Sequence, residues 1–286
     1  MKNYIKILIC FFLPLCIHAL ERRPASNPNL ALGFHPYGSV NFGMEYYTYT
    51  EPSVMSISGA MYHLNGLFGV KLNPFFKTDV QIYYSQDIGK NVYDGSIHNS
   101  VTNETTPLSV RSADYYLGGV GRLGLVLGDG FEEEWVTLYT GIGYRYLDND
   151  IQNPPGQLVA YRREQSYLYM PFGLEAKFWL NNFIKFKLNG ELRALLMGSN
   201  ITHFTDLGWD NDAYFTQKNG SGSRVSLGVD FFITKKQSIN VEAFFDYWNI
   251  KKSNLQEASR GGKFLGYYVE PDNNTKVFGV QIGYGF

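Results

Sequence analysis

Ile184-Lys185-Phe186-Lys187-Leu188-Asn189-Gly190-Glu191-Leu192-Arg193-Ala194 alternates apolar with polar or small residues from end to end. Successive side chains of an extended chain point to opposite faces, so a period of two describes a ribbon with one greasy and one charged side. The same alternation runs through Val40-Asn41-Phe42-Gly43-Met44-Glu45-Tyr46, through Leu168 to Phe178 and through Arg224 to Phe231. Ten segments carry it, at 38–49, 61–72, 77–88, 114–126, 135–147, 165–178, 183–197, 223–233, 238–249 and 275–286. The fourth is the least regular, because Gly118, Gly119, Gly121 and Gly124 interrupt it. Each runs about 11–15 residues, longer than the ~5–6 of ordinary globular strands and suited to a tilted strand that crosses a bilayer.

The connections alternate as well. Asn73 to Phe76, Trp179 to Asn182 and Thr234 to Gln237 are tight, and Leu127 to Glu134 is somewhat longer. Between them lie long polar stretches rich in Gly, Asn and Ser at 50–60, 89–113, 148–164, 198–222 and 250–274. Tight periplasmic turns and long outer loops are the asymmetry of an outer-membrane barrel. An even number of strands puts both ends of the sheet on the periplasmic side.

The first residues do not belong to this pattern. In MKNYIKILICFFLPLCIHA, Lys2 and Lys6 precede an apolar run from Ile7 to Ile17 that ends at the small residue Ala19. This is the layout of a cleaved signal peptide over 1–19, too short in its apolar part for the ~20 residues of a spanning helix. A short periplasmic leader is expected over 20–37 and a barrel over 38–286. Both cysteines, Cys10 and Cys16, leave with the signal, which removes disulfides and thiolate metal sites from the mature chain. Of 25 Lys and Arg residues, the signal takes Lys2 and Lys6 and none of the 26 acids, leaving a balance of −3. That balance excludes the basic field nucleic-acid binding needs. An aromatic content of 16% excludes a disordered chain, and a mean hydropathy of −0.21 excludes a bundle of membrane helices.

Alternation alone does not say which side faces out, and a lipocalin-like soluble barrel would alternate in the same way. Two features favour apolar-outward. Aromatic residues gather at strand ends: Tyr46, Tyr47, Tyr49, Tyr62, Tyr83, Tyr84, Tyr144, Tyr146, Tyr167, Tyr247 and Trp248 toward the long loops. Phe75, Phe76, Trp135, Phe178, Trp179, Phe183 and Phe286 lie toward the turns. Two such girdles are what the bilayer interfaces select. The opposite face would carry Glu45, Lys71, Asp79, Arg122, Arg145, Glu175, Lys177, Lys185, Lys187, Glu191, Arg193, Arg224, Asp230, Glu242 and Asp246. A dry core could not hold so many charges, whereas a watered lumen can pair and solvate them.

The segment Val277 to Phe286 alternates to a terminal aromatic residue. In Gly279, Ile282, Tyr284 and Phe286 it resembles the last strand of bacterial outer-membrane β-barrel proteins inserted by the barrel-assembly machinery. It departs from that signal at Val277, where a polar residue is usual, and at Ile282, which is not aromatic. The resemblance spans the mature chain. It implies an all-β, single antiparallel transmembrane barrel, with outer-membrane lipid, lipopolysaccharide and the assembly machinery as partners.

Chemistry is less legible. Eight basic and seven acidic inward charges are close to balance, which suits a filled, salt-bridged interior better than a selective pore, and ten strands make a narrow barrel. A small channel is the alternative. Proteases of the omptin type share the strand number and use Asp pairs with an Asp-His pair. Here His203 with Asp206, Asp210 and Asp212 is the nearest material, without the family's local motif or a second Asp pair. Ser166 with His63 carries no rim-hydrolase signal, and Asp129 to Glu134 lacks calcium-loop spacing. No cofactor and no metal site is expected. The reading is a non-enzymatic outer-membrane barrel with a largely filled, charge-balanced lumen, serving an envelope-structural or surface-interaction role through its five long loops, which cover its mouth or hold an extracellular ligand.

Overall fold

In the computed structural model, residues 35–99, 104–129 and 133–286 are described. The expected signal peptide and most of the expected leader lie outside them. The strands are β1 (His35–Glu51), β2 (Met55–Lys71), β3 (Phe76–Asp87), β4 (Asn91–Asn99), β5 (Glu104–Asp129), β6 (Glu133–Ile151) and β7 (Arg162–Asn181). They continue as β8 (Ile184–Thr202), β9 (Ala213–Gln217), β10 (Gly220–Phe232), β11 (Ser238–Ile250), β12 (Leu255–Arg260), β13 (Lys263–Val269) and β14 (Asn273–Gly285).

Ten of these close an antiparallel ring in the order β1-β14-β11-β10-β8-β7-β6-β5-β3-β2, with β2 returning to β1. Closure is what a membrane requires, since an unpaired backbone group in hydrocarbon costs several kcal/mol. The seam between β1 and β14 is continuous from Ser39↔Gly285 to Thr50↔Asn274. Gly38 and Phe286 extend it by exchanging backbone hydrogen bonds of 2.9 and 3.0 Å. Each tight turn is closed by a polar side chain whose chemistry the sequence supplies. Asn73 Oδ1 accepts from the Phe75 and Phe76 amides, Asn181 Oδ1 from Phe183 and Ile184, and Thr234 Oγ1 from Lys236 and Gln237.

The apolar side faces out. On β1, Val40, Phe42, Met44 and Tyr46 are 54–63% exposed, while Asn41, Glu45, Tyr47 and Tyr49 between and beyond them are buried. A row of outward rings, Tyr62, Tyr84, Tyr115 and Tyr146, runs across β2, β3, β5 and β6 with centroids 6.0–6.2 Å apart. This row forms part of the outer girdle.

Three expectations are corrected. β1 begins at His35, so residues 35–37 belong to the barrel and not to a leader. Tyr47, Tyr49, Tyr167 and Trp248 are not girdle residues; at 0–1% exposure they point into the lumen, and Tyr83 joins them there against His63 and Tyr116. In pairs such as Tyr46-Tyr47 the alternation sends only one ring to lipid. Finally, the long polar stretches are largely strand. β5 runs 26 residues and pairs beyond the girdle with β4, β9 adds to β8, and β12 and β13 form a separate hairpin. Above the membrane both faces meet water, so the period-two signal fades although the ladder continues.

Inward glycines make room for rings from the neighbouring strand. A Cβ on Gly143 would sit 2.2 Å from Tyr169 Cζ, and one on Gly279 would sit 2.4 Å from Phe244 Cζ. Those rings belong to the buried clusters that fill the lumen.

Candidate functional site

The lumen is divided across its height. On the turn side is a cavity of about 320 Å³ whose wall reaches from Lys235, Lys236 and Phe286 at the mouth to Arg145, His63 and Trp248 within. Thirteen of the fifteen charged residues read as inward line it; Glu45 and Lys71 are buried off its wall. Lys77, Lys235 and Lys236 join the lining, and these the alternation had not singled out.

Most of these charges are paired. Lys77 and Lys177 share Glu134 and Glu175, with Lys77–Glu175 at 2.9 Å, Lys177–Glu134 at 3.1 Å and Lys177–Glu175 at 3.0 Å. Arg122 holds Asp79 at 2.6 Å, and the Tyr37 hydroxyl donates to the same carboxylate at 3.0 Å. Arg193 bridges Glu191 (2.6 Å) and Asp246 (2.7 Å); Asp246 also takes Arg224 at 3.2 Å. Lys187 meets Asp230 at 2.7 Å. These bonds tie six or more strands together across the interior, and removing one partner of such a buried pair typically costs ~3–5 kcal/mol.

The balance differs from the expected eight against seven. Ten cations line the cavity against six carboxylates, with Glu134 a seventh behind Lys77 and Lys177. Among the described residues Arg145, Lys185, Lys235 and Lys236 have no carboxylate within 4 Å. Arg145 lies over the Tyr116 ring (4.8 Å), and Lys185 lies over Trp179 and Phe232 (4.4 and 4.6 Å).

Toward the outer side the lumen is packed. Tyr47, Tyr49, Met55, Ile57, Met61, Tyr116, Leu147, Phe244 and Val277 form one buried cluster, and Tyr167, Tyr169, Leu195, Trp248 and Ile250 another. Above them Arg163 pairs with Glu51 and lies 3.7 Å from Glu270, while the Tyr49 hydroxyl lies within hydrogen-bonding distance of both carboxyl groups, at 3.0 and 3.2 Å. Burial pushes the Glu270 carboxyl up to about 8, with Arg163 opposing and Glu51 adding. Glu51, Arg163 and Glu270 fall beyond the alternating segments or at their margins, which is why sequence reasoning missed them.

The outer loops form one body. Phe204, Trp209 and Phe215 pack with Tyr161 of the preceding loop and Tyr268 of the following hairpin. Asp210 accepts from Ser259 and from the Gly261 and Gly262 amides, pinning the hairpin tip. Asp206 accepts from the Arg162 amide. His203 is held at both nitrogens, Nδ1 to Asp212 at 2.9 Å and Nε2 to Glu164 at 3.0 Å. Burial lowers its pKa, but hydrogen bonds to the two carboxylates outweigh that and raise it. Asp206 and Asp210 are therefore ties between loops and are not gathered around His203. Ser166 accepts from the Tyr144 hydroxyl on the outer face, and His63 is inside on Ser85, so the two are not brought together. Asp129 to Glu134 is described only in part; Glu134 is spent on lysines.

Of the expected assembly signal, Ile282 and Tyr284 face outward at 55% and 40% exposure, Gly279 receives Phe244, and Phe286 closes on Gly38. No family model matches the chain, and neither does any curated protein. Among solved structures, the outer-membrane protease OmpT from Escherichia coli superposes with a TM-score of 0.60 over 90% of this chain and 98% of that one, at 8% identity. With a closed ten-stranded ring, an apolar belt and this match in fold, the class is settled. The chain has the fold of an integral outer-membrane β-barrel. The translocator domain of the autotransporter NalP from Neisseria meningitidis is also similar, at a TM-score of 0.43 and 10% identity over 98% and 96% of the two chains. So is Ail from Yersinia pestis, at 0.34 and 10% over 88% and 99%.

Proposed function

We propose that this outer-membrane barrel is a non-conducting surface-recognition protein: a closed barrel that presents a rigid outer platform to an extracellular ligand. The packed outer half of the lumen carries the reading. Two aromatic clusters topped by the Arg163 ion pairs leave the turn-side cavity a blind one. The platform supports the second half of the reading, because loops fastened to one another lose little freedom on binding. It also exposes Leu158, Tyr214, Leu255, Phe264 and Tyr267 at 60–63% to the outside. Contact with lipopolysaccharide along the girdle, and insertion by the barrel-assembly machinery, belong to the same proposal.

Planar-bilayer recording tests it. Wild-type protein gives no discrete conductance steps, whereas a Tyr167→Ala, Tyr169→Ala, Trp248→Ala variant that still shifts on a gel when boiled does give them. Steps in pure wild-type protein would make it a channel instead. The hydrolase alternative retains one observation, the His203–Asp212 contact at the rim. A general base needs a ring nitrogen free to take a proton. Here both ring nitrogens are taken by carboxylates, Asp212 and Glu164, which favour the protonated ring. Any hydrolysis unchanged in His203→Ala removes that site.

A further inference from the structure

We propose that the turn-side cavity binds a small, free, multiply charged oxyanion of the periplasm, a phosphate or a polycarboxylate, with Arg145 as its innermost contact. This goes beyond the platform reading and concerns the opposite end of the molecule. Arg145 is 3% exposed, lines the inner end of the cavity, and its Nη1 has no hydrogen-bond partner. Its neighbours in the lumen have counter-charges: Arg193 pairs with Glu191 and Asp246, and Arg224 with Asp246 and Glu242. A buried guanidinium without a counter-charge is costly, and two oxygens of a carboxylate or a phosphate are what its fork of donors fits. Two further buried donors line the same inner end without an acceptor: Trp248 Nε1 and, in one tautomer, His63 Nε2.

The mouth carries the matching field. Among the described residues Lys185, Lys235 and Lys236 have no carboxylate within 4 Å, and low-dielectric walls concentrate such a field along the cavity. At about 320 Å³ the space is at the small end of the ~300–1,000 Å³ of ligand pockets. It therefore suits a compact free anion and not a polymer, and the plug above makes it a binding site and not a path.

Isothermal titration of the folded barrel in non-ionic detergent with sodium phosphate, and separately with sodium citrate, tests this. At least one of the two binds at a single saturable site, with affinity that falls as sodium chloride is added and with a change in tryptophan emission from Trp248. Arg145→Met weakens binding tenfold or more. Lys235→Gln with Lys236→Gln, at an exposed turn, weakens it a few-fold without touching the fold. No saturable binding of either anion to wild-type protein overturns the proposal, because water alone then satisfies Arg145. So does a boiling-sensitive Arg145→Met that binds as wild type. If Arg145→Met does not fold, wild-type binding indifferent to salt and to the paired lysine substitutions overturns it equally.

Discussion

Leu227 tests the outward face quantitatively. It lies midway along the outer side of β10, 55% exposed, between Val225 and Val229. Its cross-strand partners are Leu188 on β8 and Ala243 on β11. Fully withdrawing a Leu side chain from water is worth ~1.5–3 kcal/mol, so the half of Leu227 that meets lipid contributes about 0.8–1.5 kcal/mol. Leu227→Arg forfeits that and places a guanidinium in hydrocarbon, for a total loss of about 2–4 kcal/mol at mid-bilayer depth. Ile233→Arg, beside the turn where the side chain reaches water, should cost about 0–1 kcal/mol. Urea unfolding in phospholipid vesicles, with unchanged m-values, reads both. Leu227→Arg within about 0.5 kcal/mol of wild type, or Ile233→Arg costing more than Leu227→Arg, would refute the assignment of faces.

Two further outcomes follow from the interior and the cap. Gly143→Val drives its side chain into Tyr169, which Trp248 holds at 5.1 Å, so overpacking should cost about 1–3 kcal/mol, while Gly190→Val, with open space around it, should cost nothing measurable in the same unfolding assay. Because Glu270 keeps its proton up to about 8 in the folded cap while an exposed Glu loses it near 4.5, the native state binds more protons in that interval and cap stability falls as pH rises through it. Glu270→Gln keeps a neutral partner for Arg163 and Tyr49. Its tryptic cleavage at Lys251 and Lys252, normalised to an unstructured peptide, should therefore rise less between pH 5 and 8 than in wild type. Equal slopes would remove Glu270 as the titrating group.

The ring strands were legible because their two faces lie in different media. Lys185, Lys187 and Glu191 must meet water while Phe186, Leu188 and Leu192 meet lipid, and nothing but alternation satisfies both. Where the media become alike the signal disappears, and so β4, β9, the outer part of β5 and the β12–β13 hairpin read as loop. The plug left no separate trace for a related reason. Tyr47, Tyr167 and Trp248 have the composition of girdle residues, and only register distinguishes a ring that faces lipid from one that fills the lumen. Inward charge was legible residue by residue, but its balance was not. Lys77 lies at the first position of its segment, Lys235 and Lys236 lie in a turn, and Glu45 is spent on Tyr116 and His63 away from the cavity. The excess of cations emerges only when the wall is assembled.

The most direct measurement is accessibility along β1. Both cysteines of the chain fall in the expected signal peptide, so single cysteines placed in turn at Asn41, Phe42, Gly43, Met44, Glu45 and Tyr46 report without background. Spin-labelled in phospholipid vesicles, positions 42, 44 and 46 should be relaxed by oxygen dissolved in the lipid. Positions 41, 43 and 45 should respond instead to a water-soluble nickel chelate or to neither. Oxygen contact at the odd positions, or no period of two at all, would contradict the account.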